Sequence, residues 1–372
     1  MELLKDQLFH KKNVQYLAQL INKTYAEFDE EQFSKKVLSK FPELELKERI
    51  FWIRENMEKQ LPQKYEETLE ILTESIKGAK VDFIFAAYSD YVEKNGCTKE
   101  HLAKSLDALG EFTKYFSAEF AIRFFINDFP EQTFAMMKKW SKSDDDDQRR
   151  FASEGLRPKL PWAKAINFDY KRGAKILDSL FYDKNRYVTR SVANHLNDIS
   201  KFDADFVVEK LEQWRDSKKQ NDKEMNYIIN HSLRTSVKRG HAKTLEFLGY
   251  NPEPQIVVEN LKIKNPKISI GDTLEFSFDI AAAKQENLVV DYKITYPTPH
   301  KRKSEKVFKI KKISLKKGEK IHISKRQIFK EMTTKRLYSG NYKLEIQING
   351  GIVAETEFYL EVLGNATIIF KN

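Results

Sequence analysis

RYVTRSVANHLNDISK, residues 186–201, carries two stripes at once. On a helix of 3.6 residues per turn, Val188, Val192 and Ile199 fall on one side. Arg190, Asn194, Asn197 and Lys201 stand at i, i+4, i+7 and i+11 on another. The pattern recurs outward in both directions. Arg150, in RRFASEGLR, lies 40 residues before Arg190, and Asn230, in MNYIINHSLRTSVK, lies 40 residues after it. A fixed offset of that size, carried by amphipathic helices, is the spacing of HEAT-type helical repeats. Asn226, Asn230 and Arg234 continue the polar row. Stacked in register, such helices align their rows into one wall of Arg, Lys and Asn, side chains that suit a phosphate backbone. The plain alternative is that each row is a solvated helix face.

The rest of the first 250 residues reads the same way. FDEEQFSKKVLSKF (28–41) puts Phe28, Phe33 and Val37 on one face behind an Asp29 cap. LKERIFWIRENMEKQL (46–61) and the segments near 79–93 and 99–115 follow the same logic. No strand signal interrupts them, so an α-solenoid of HEAT-like repeats is expected over 1–250.

The chain changes character at GYNPEPQIVV (249–258), where Pro252 and Pro254 mark a linker over 251–256. Seven short β-branched and aromatic runs follow: 255–263, 272–280, 287–296, 306–315, 320–324, 341–348 and 353–363, with period-two alternation clear in Leu274, Phe276 and Phe278 and in Leu344, Ile346 and Ile348. Gly271-Asp272 and Asn349-Gly350 read as turns, the second as a hairpin. An immunoglobulin-like β-sandwich over 257–372 is expected, without that fold's disulfide, because Cys97 is the one cysteine. The fold class is therefore α then β in two domains.

Charge is uneven. Of a net +10, residues 251–372 contribute +8 (22 basic, 14 acidic), and 301–336 alone holds 15 basic residues against 3 acidic. Such a concentration suits a polyanion, with nucleic acid first, although a lysine-rich surface also serves solubility. No apolar run is long enough for a membrane helix, and the N-terminus lacks the form of a secretory signal. A cytoplasmic protein beside the nucleoid, monomeric by default, is expected. Seven scattered histidines show no metal-ligand spacing, and no glycine-rich phosphate loop is present, so no metal, cofactor or nucleotide is expected. Asp144–Asp147 read as charges at a helix start. His195 reads as a packing or phosphate-facing group.

The densest polar cluster runs from Glu119 to Trp162. SAEFAIRFF (117–125) sets Glu119 and Arg123 four apart on one expected helix. QRRFASEGLRPKLPW (148–162) sets Arg150, Glu154 and Arg157 at i, i+4 and i+7. Gly155, Pro158 and Pro161 would end that helix and project Trp162 from a rigid turn. Two carboxylates, guanidiniums and a tryptophan at one point suit glycosidic-bond cleavage. A carboxylate stabilises the sugar cation or holds the attacking water, and an indole face attracts developing positive charge. A base already cationic through alkylation needs no acid to leave. Each pair is equally an ordinary i, i+4 helix contact, and Trp162 equally a core residue.

The run Arg149–Trp162, RRFASEGLRPKLPW, resembles the signature of AlkC-type DNA glycosylases. SAEFAIRFF and SVANHLNDIS (191–200) resemble two further blocks, and the likeness continues through LRTSVKRGHAKTLEFLGY, LVVDYKITY, KVFKIK and YSGNYKLEIQING. Phe124 departs from the family's proline. The resemblance implies HEAT-like repeats with a C-terminal immunoglobulin-like domain. It implies excision of N3-methylated adenine and cytosine from double-stranded DNA without base flipping. It makes Glu119, Glu154 and Trp162 the site residues, with Asp198 a further candidate. Arg149, Arg150, Arg157, Lys159, Arg190, Asn194, Asn197, Lys201, Asn230 and Arg234 are the expected DNA contacts. The rival reading is a non-enzymatic HEAT-like scaffold that recognises DNA structure. An RNA-binding solenoid ranks last, because the stripes lack stacking aromatics.

Overall fold

The computed structural model describes residues 3–299, 304–330 and 336–362. Helices run from Leu4 to Phe247 and strands from Ile256 to Glu361. Two compact units result, one of residues 1–202 with 210–232, the other of 203–209 with 233–372. No helix among the described residues is long and apolar enough to cross a membrane.

In the first unit, the helix Asp146–Glu154 packs on Arg186–Ile199, which packs on Asp222–Ser232. Val188, Val192, Leu196 and Ile199 are fully buried, as the apolar stripe requires. The repeat is written into the polar contacts as well. Tyr65 bonds Ser105 at 2.7 Å, Arg172 pairs with Glu131, and Arg186 pairs with Glu224, at separations of 40, 41 and 38 residues. Helix starts are capped locally: Asp29 accepts from the Gln32 amide, Asp145 from that of Gln148 and Asn185 from that of Tyr187. Asp145, Asp146 and Asp147 thus serve the positive end of their helix dipole.

The second unit carries eight strands: β1 (Ile256–Ile263), β2 (Lys267–Ser269), β3 (Thr273–Ala282), β4 (Glu286–Tyr296), β5 (Ser304–Leu315), β6 (Lys320–Ile328), β7 (Gly340–Ile348) and β8 (Gly351–Glu361). They form a three-stranded sheet, β1-β3-β6, and a five-stranded one, β2-β8-β7-β4-β5. Seven strands lie on the expected runs. The eighth, β2, is three residues long and parallel to β8, too short to show alternation. Inward residues of both sheets, among them Leu274, Phe278, Tyr292, Leu344 and Ile346, make one core.

Asn349 and Gly350 turn the β7–β8 hairpin with φ of +45° and +81°, as an Asn-Gly turn does. The Asn349 amide also bonds the Val289 amide at 2.7 Å and the Asn251 carbonyl at 2.8 Å. Gly350 is required for a second reason: a Cβ there would stand 2.0 Å from the Gly240 Cα. With the Gln347 bond to the Lys238 carbonyl (2.7 Å), this ties the helical segment 233–250 to the sheet.

The basic segment 301–336 lies partly outside the described residues, at 301–303 and 331–335. Its described part forms β5 and β6. As β5 is an edge strand, its lysines also prevent edge-to-edge pairing.

Candidate active site

Two helices and the turn between 117 and 121 build the polar centre. Arg150 and Glu154 stand one turn apart on Asp146–Glu154, and Glu154 is only 5% exposed. The carboxylate of Glu154 accepts from the Arg157 guanidinium and from the Ser191 hydroxyl of the following repeat helix. Arg150 Nη2 lies 3.9 Å from Glu154 Oε1 and 3.2 Å from Glu119 Oε2. The Ser117 hydroxyl accepts from Arg150 at 3.0 Å and donates to Glu119 Oε2 at 2.6 Å. Farther along, Arg157 Nε bonds Asp198 Oδ2 at 2.8 Å, and Lys201 bonds Asp198 Oδ1 at 2.6 Å.

Acids and cations therefore alternate: Glu119, Arg150, Glu154, Arg157, Asp198, Lys201. Burial opposes the charge on Arg150, but Glu119 and Glu154 beside it hold its guanidinium more firmly protonated than usual. Burial likewise opposes Arg157, and Glu154 and Asp198 prevail there. Charges sealed this way survive only because each has an opposite partner in bonding geometry. Arg150 also lies 4.9 Å from the Tyr187 ring centre.

The expected Glu119–Arg123 helix pair does not form. Glu119 precedes the helix Ile122–Asp128 in a turn, and it bonds Ser117 and Arg150 instead. Arg123 is 1% exposed and faces the other way. Its guanidinium donates to the carbonyls of Gly155 (3.2 Å), Arg157 (2.8 Å) and Lys164. Burial, and then the neighbouring Arg157, lower its pKa to about 10, so it stays charged at neutral pH. One side chain thereby pins both ends of the turn that follows Glu154.

That turn presents Trp162. The indole is 67% exposed, so it is no core residue. Its backbone is left-handed, with φ +62°, and the Lys47 ammonium bonds its carbonyl. A non-glycine residue held at such a φ signals a surrounding structure that over-determines it. Gly155 does end the preceding helix, but at φ −63°, not in the left-handed cap expected of it. Glycine is needed there for packing, because a Cβ would come within 2.8 Å of Met137 Cε and 2.9 Å of Ile122 Cγ2.

The expected DNA contacts divide. Lys159 and Arg190 are exposed, as is Asn230, whose amide bonds the Asn226 carbonyl. Asn194 is half-buried and 2.9 Å from His231 Nε2. Lys201 is half-buried on Asp198. Arg234 opens a short helix of the second unit. Three residues sit differently from an exposed row. Asn197 is 3% exposed, because the next repeat helix covers that side of its own. Arg149 is engaged by Asp183 (2.6 Å) and by the carbonyls of Ser143 and Asp144. Arg157 is spent on Glu154 and Asp198. Asp198, expected among the catalytic groups, is 1% exposed with both oxygens occupied. In this arrangement it holds Arg157 in place.

His195 is fully buried, its Nδ1 3.0 Å from the Ser153 carbonyl. Burial, then Arg157, lower its pKa to about 4, so it is a neutral packing group. Sequence reasoning passed over Ser117, Ser191, Tyr187 and the role of Arg123. Ser191 was within reach, since it stands 37 residues after Glu154, close to the repeat offset.

Chemically, the centre offers one carboxylate, Glu119, that is half-buried with both of its bonds on a single oxygen. It offers a second, Glu154, that is deep and immobilised, and an indole face projected into solvent. Such a site can stabilise positive charge and orient a water. Within the described residues, groups of three side chains that could hold a cation occur at Glu66, Glu100 and His101 and at Asp145–Asp147. Asp147 of the second group bonds Tyr187, against which Arg150 rests.

Residues 51–251 match the family model described as DNA alkylation repair enzyme, and 257–362 match the YhaZ C-terminal Ig-like domain. The chain is 33% identical over 356 residues to the protein described as uncharacterized protein YhaZ of Bacillus subtilis (strain 168), covering 95% of this chain and 98% of that protein. Among solved structures it is similar to Pseudomonas fluorescens alkylpurine DNA glycosylase AlkC bound to DNA containing an abasic site analog. That match has a TM-score of 0.87 and 32% identity, and covers 97% of this chain and 100% of the other.

Proposed function

Since the chain belongs to the DNA alkylation repair enzyme family, we propose that it is a DNA glycosylase. Its substrates are cationic N3-methylated bases, 3-methyladenine and 3-methylcytosine, in duplex DNA. The helical part, 1–250, carries the chemistry, and the sandwich after the 251–256 linker assists on DNA. The observation that carries this reading is Trp162, two-thirds exposed on a strained backbone, in a turn that Arg123 ties to the residues following Glu154. A scaffold has no use for that arrangement, and carboxylates near phosphates weaken DNA binding.

Catalysis follows from the charges. The cationic base departs with the electron pair of the C1′–N bond, so no proton donor is required. Positive charge then develops on the sugar. Glu119 stabilises it, orients the attacking water and accepts the proton that the water loses as its oxygen bonds C1′, while Trp162 covers the sugar face. Glu154 and Asp198 hold Arg150 and Arg157, and Arg150 in turn holds Glu119. No step calls for a pocket that swallows the lesion while it is still attached, so the base reacts without being flipped. Lys159, Arg190, Asn194 and Asn230 contact phosphates, and Arg234 does so from the second unit. The protein works as a monomer in the cytoplasm, on the nucleoid.

The test is base release from duplex DNA treated with a methylating agent, with wild type, Glu119→Gln and Glu154→Gln compared. Wild type should free 3-methyladenine, and Glu119→Gln should be slower by about 10²–10³ while still binding DNA. A wild type that binds this DNA and frees no base would sink the proposal and leave the scaffold reading.

A further inference from the structure

A cavity of about 330 Å³ adjoins the site, at the small end of the roughly 300–1,000 Å³ typical of small-molecule pockets. It shares two walls with the proposed chemistry. Ser117, which holds Glu119, lines it, and so does Ala163, next to Trp162. Three phenylalanines, Phe51, Phe120 and Phe124, give it flat apolar sides. Two lysines stand against those sides. Lys164 Nζ is 4.0 Å from the Phe124 ring centre and Lys47 Nζ 5.1 Å from that of Phe120.

The polar groups on the helix Ala86–Gly96 are of a particular kind. Ser89 lines the cavity, and its buried hydroxyl has no hydrogen-bond partner among the described residues. Glu93 lines it too, and burial, then Asp90, push its carboxyl up to about 8. The cations around it, Lys164, Lys47 and Arg54, act the other way without prevailing, and Cys97 is its uncharged neighbour. Asp90 itself is bonded to Arg54 at 2.7 Å. At neutral pH Glu93 therefore presents a carboxylic acid, with an O–H donor beside a C=O acceptor. That pair is complementary to the ring nitrogen and exocyclic amine of an aminopurine.

Charge selects which purine. The lysines against the aromatic walls disfavour a cation, as the lesion is while it remains in DNA. Once the glycosidic bond has broken, the base has kept the bonding electrons and is neutral. We propose that this cavity is a product site, which takes up the free, neutral methylated aminopurine through Glu93, Ser89 and the phenylalanine walls. The ligand assigned here rests on the glycosylase reading.

The experiment is calorimetric titration of the full-length protein with free 3-methyladenine, without DNA. Wild type should bind one equivalent at pH 7, and Glu93→Leu should bind about tenfold more weakly or worse, having lost both hydrogen bonds. Glu93→Gln keeps one donor and one acceptor and should bind as wild type does. Wild-type affinity should fall as the pH rises through about 8 and Glu93 ionises, whereas the Glu93→Gln affinity should not. Absence of binding by wild type overturns the proposal, as does equal binding by a folded Glu93→Leu or a Gln variant as weak as the Leu variant. Base release from methylated DNA is scored separately. A wild type that releases base but does not bind it loses the product site alone. One that binds 3-methyladenine yet releases none defeats the glycosylase reading and, with it, the ligand's standing as product.

Discussion

Replacing Arg123 by Met should unpin the Trp162 turn without touching a carboxylate of the site. The guanidinium is 1% exposed and makes three bonds to carbonyls, those of Gly155, Arg157 and Lys164. An unsatisfied buried acceptor costs about 1–3 kcal/mol. Two of the three carbonyls lie in a turn that can open to water, which places them near the lower figure. The methionine methylenes recover part of the packing. The net loss should be about 3 kcal/mol, or roughly 10 °C in the melting temperature of a unit this size. At a temperature where the variant stays folded, single-turnover base release should still fall, because Trp162 loses its fixed position. DNA affinity should change little, since Arg123 has no face to offer a phosphate. Arg123→Lys, with a charge but no fork, should recover part of both losses. An Arg123→Met protein melting within about 2 °C of wild type, with an unaltered rate, would refute the reasoning.

Trp162→Gly separates chemistry from stability. Relief of the positive φ offsets the added chain entropy, so stability should stay within about 1 kcal/mol of wild type, while base release drops about tenfold. Strong destabilisation in denaturant titration would show the indole to be structural. His195 should make stability pH-dependent. It is neutral when folded, with its pKa lowered from 6.5 to about 4. Its contribution is complete above the unfolded pKa and is lost as pH falls from about 6.5 towards 4. The loss should total about 3 kcal/mol, read as the difference between wild type and His195→Gln in chemical denaturation, because Glu93, pushed up to about 8, titrates in the opposite sense over the same range. A His195→Gln profile that runs parallel to that of wild type would remove the argument. Arg190→Ala should reduce the salt slope of DNA affinity by about one, seen by anisotropy at several salt concentrations. An unchanged slope would take Arg190 off the phosphates.

The helical repeats and most of the sandwich were legible because burial follows period. The stripe of Val188, Val192 and Ile199 lies in the core, and the seven β-branched and aromatic runs became strands. The exposed turn at Trp162 was legible because a glycine and two prolines, Gly155, Pro158 and Pro161, lead into it. What could not be read was which polar groups the repeat turns inward. Asn194 and Asn197 share a face on a helical wheel, yet one is half-buried and the other sealed, because the wheel shows neither neighbouring helix. The Glu119–Arg123 pair failed similarly: spacing presumed one continuous helix, and the helix begins only at Ile122.

The buried polar contacts show what the inward face is for. Ser191 with Ser153, His195 with Ser153, Asp198 with Arg157 and His231 with Asn194 are separated by 38, 42, 41 and 37 residues. The row beside the polar stripe, Ser191, His195 and Asp198, with Asn194 of the stripe itself, is therefore a seam between successive repeats, where an exposed wall alone had been expected. Apolar side chains of similar volume would often hold such a seam at least as firmly, since desolvating Glu154, Arg157 and Asp198 opposes folding. A seam filled with paired charges gains something other than stability. It fixes carboxylates and guanidiniums before any substrate arrives, so no reorganisation is needed when positive charge develops beside Glu119. On this reasoning, apolar replacement of Glu154, Arg157 and Asp198 together should leave the fold standing and weaken the chemistry.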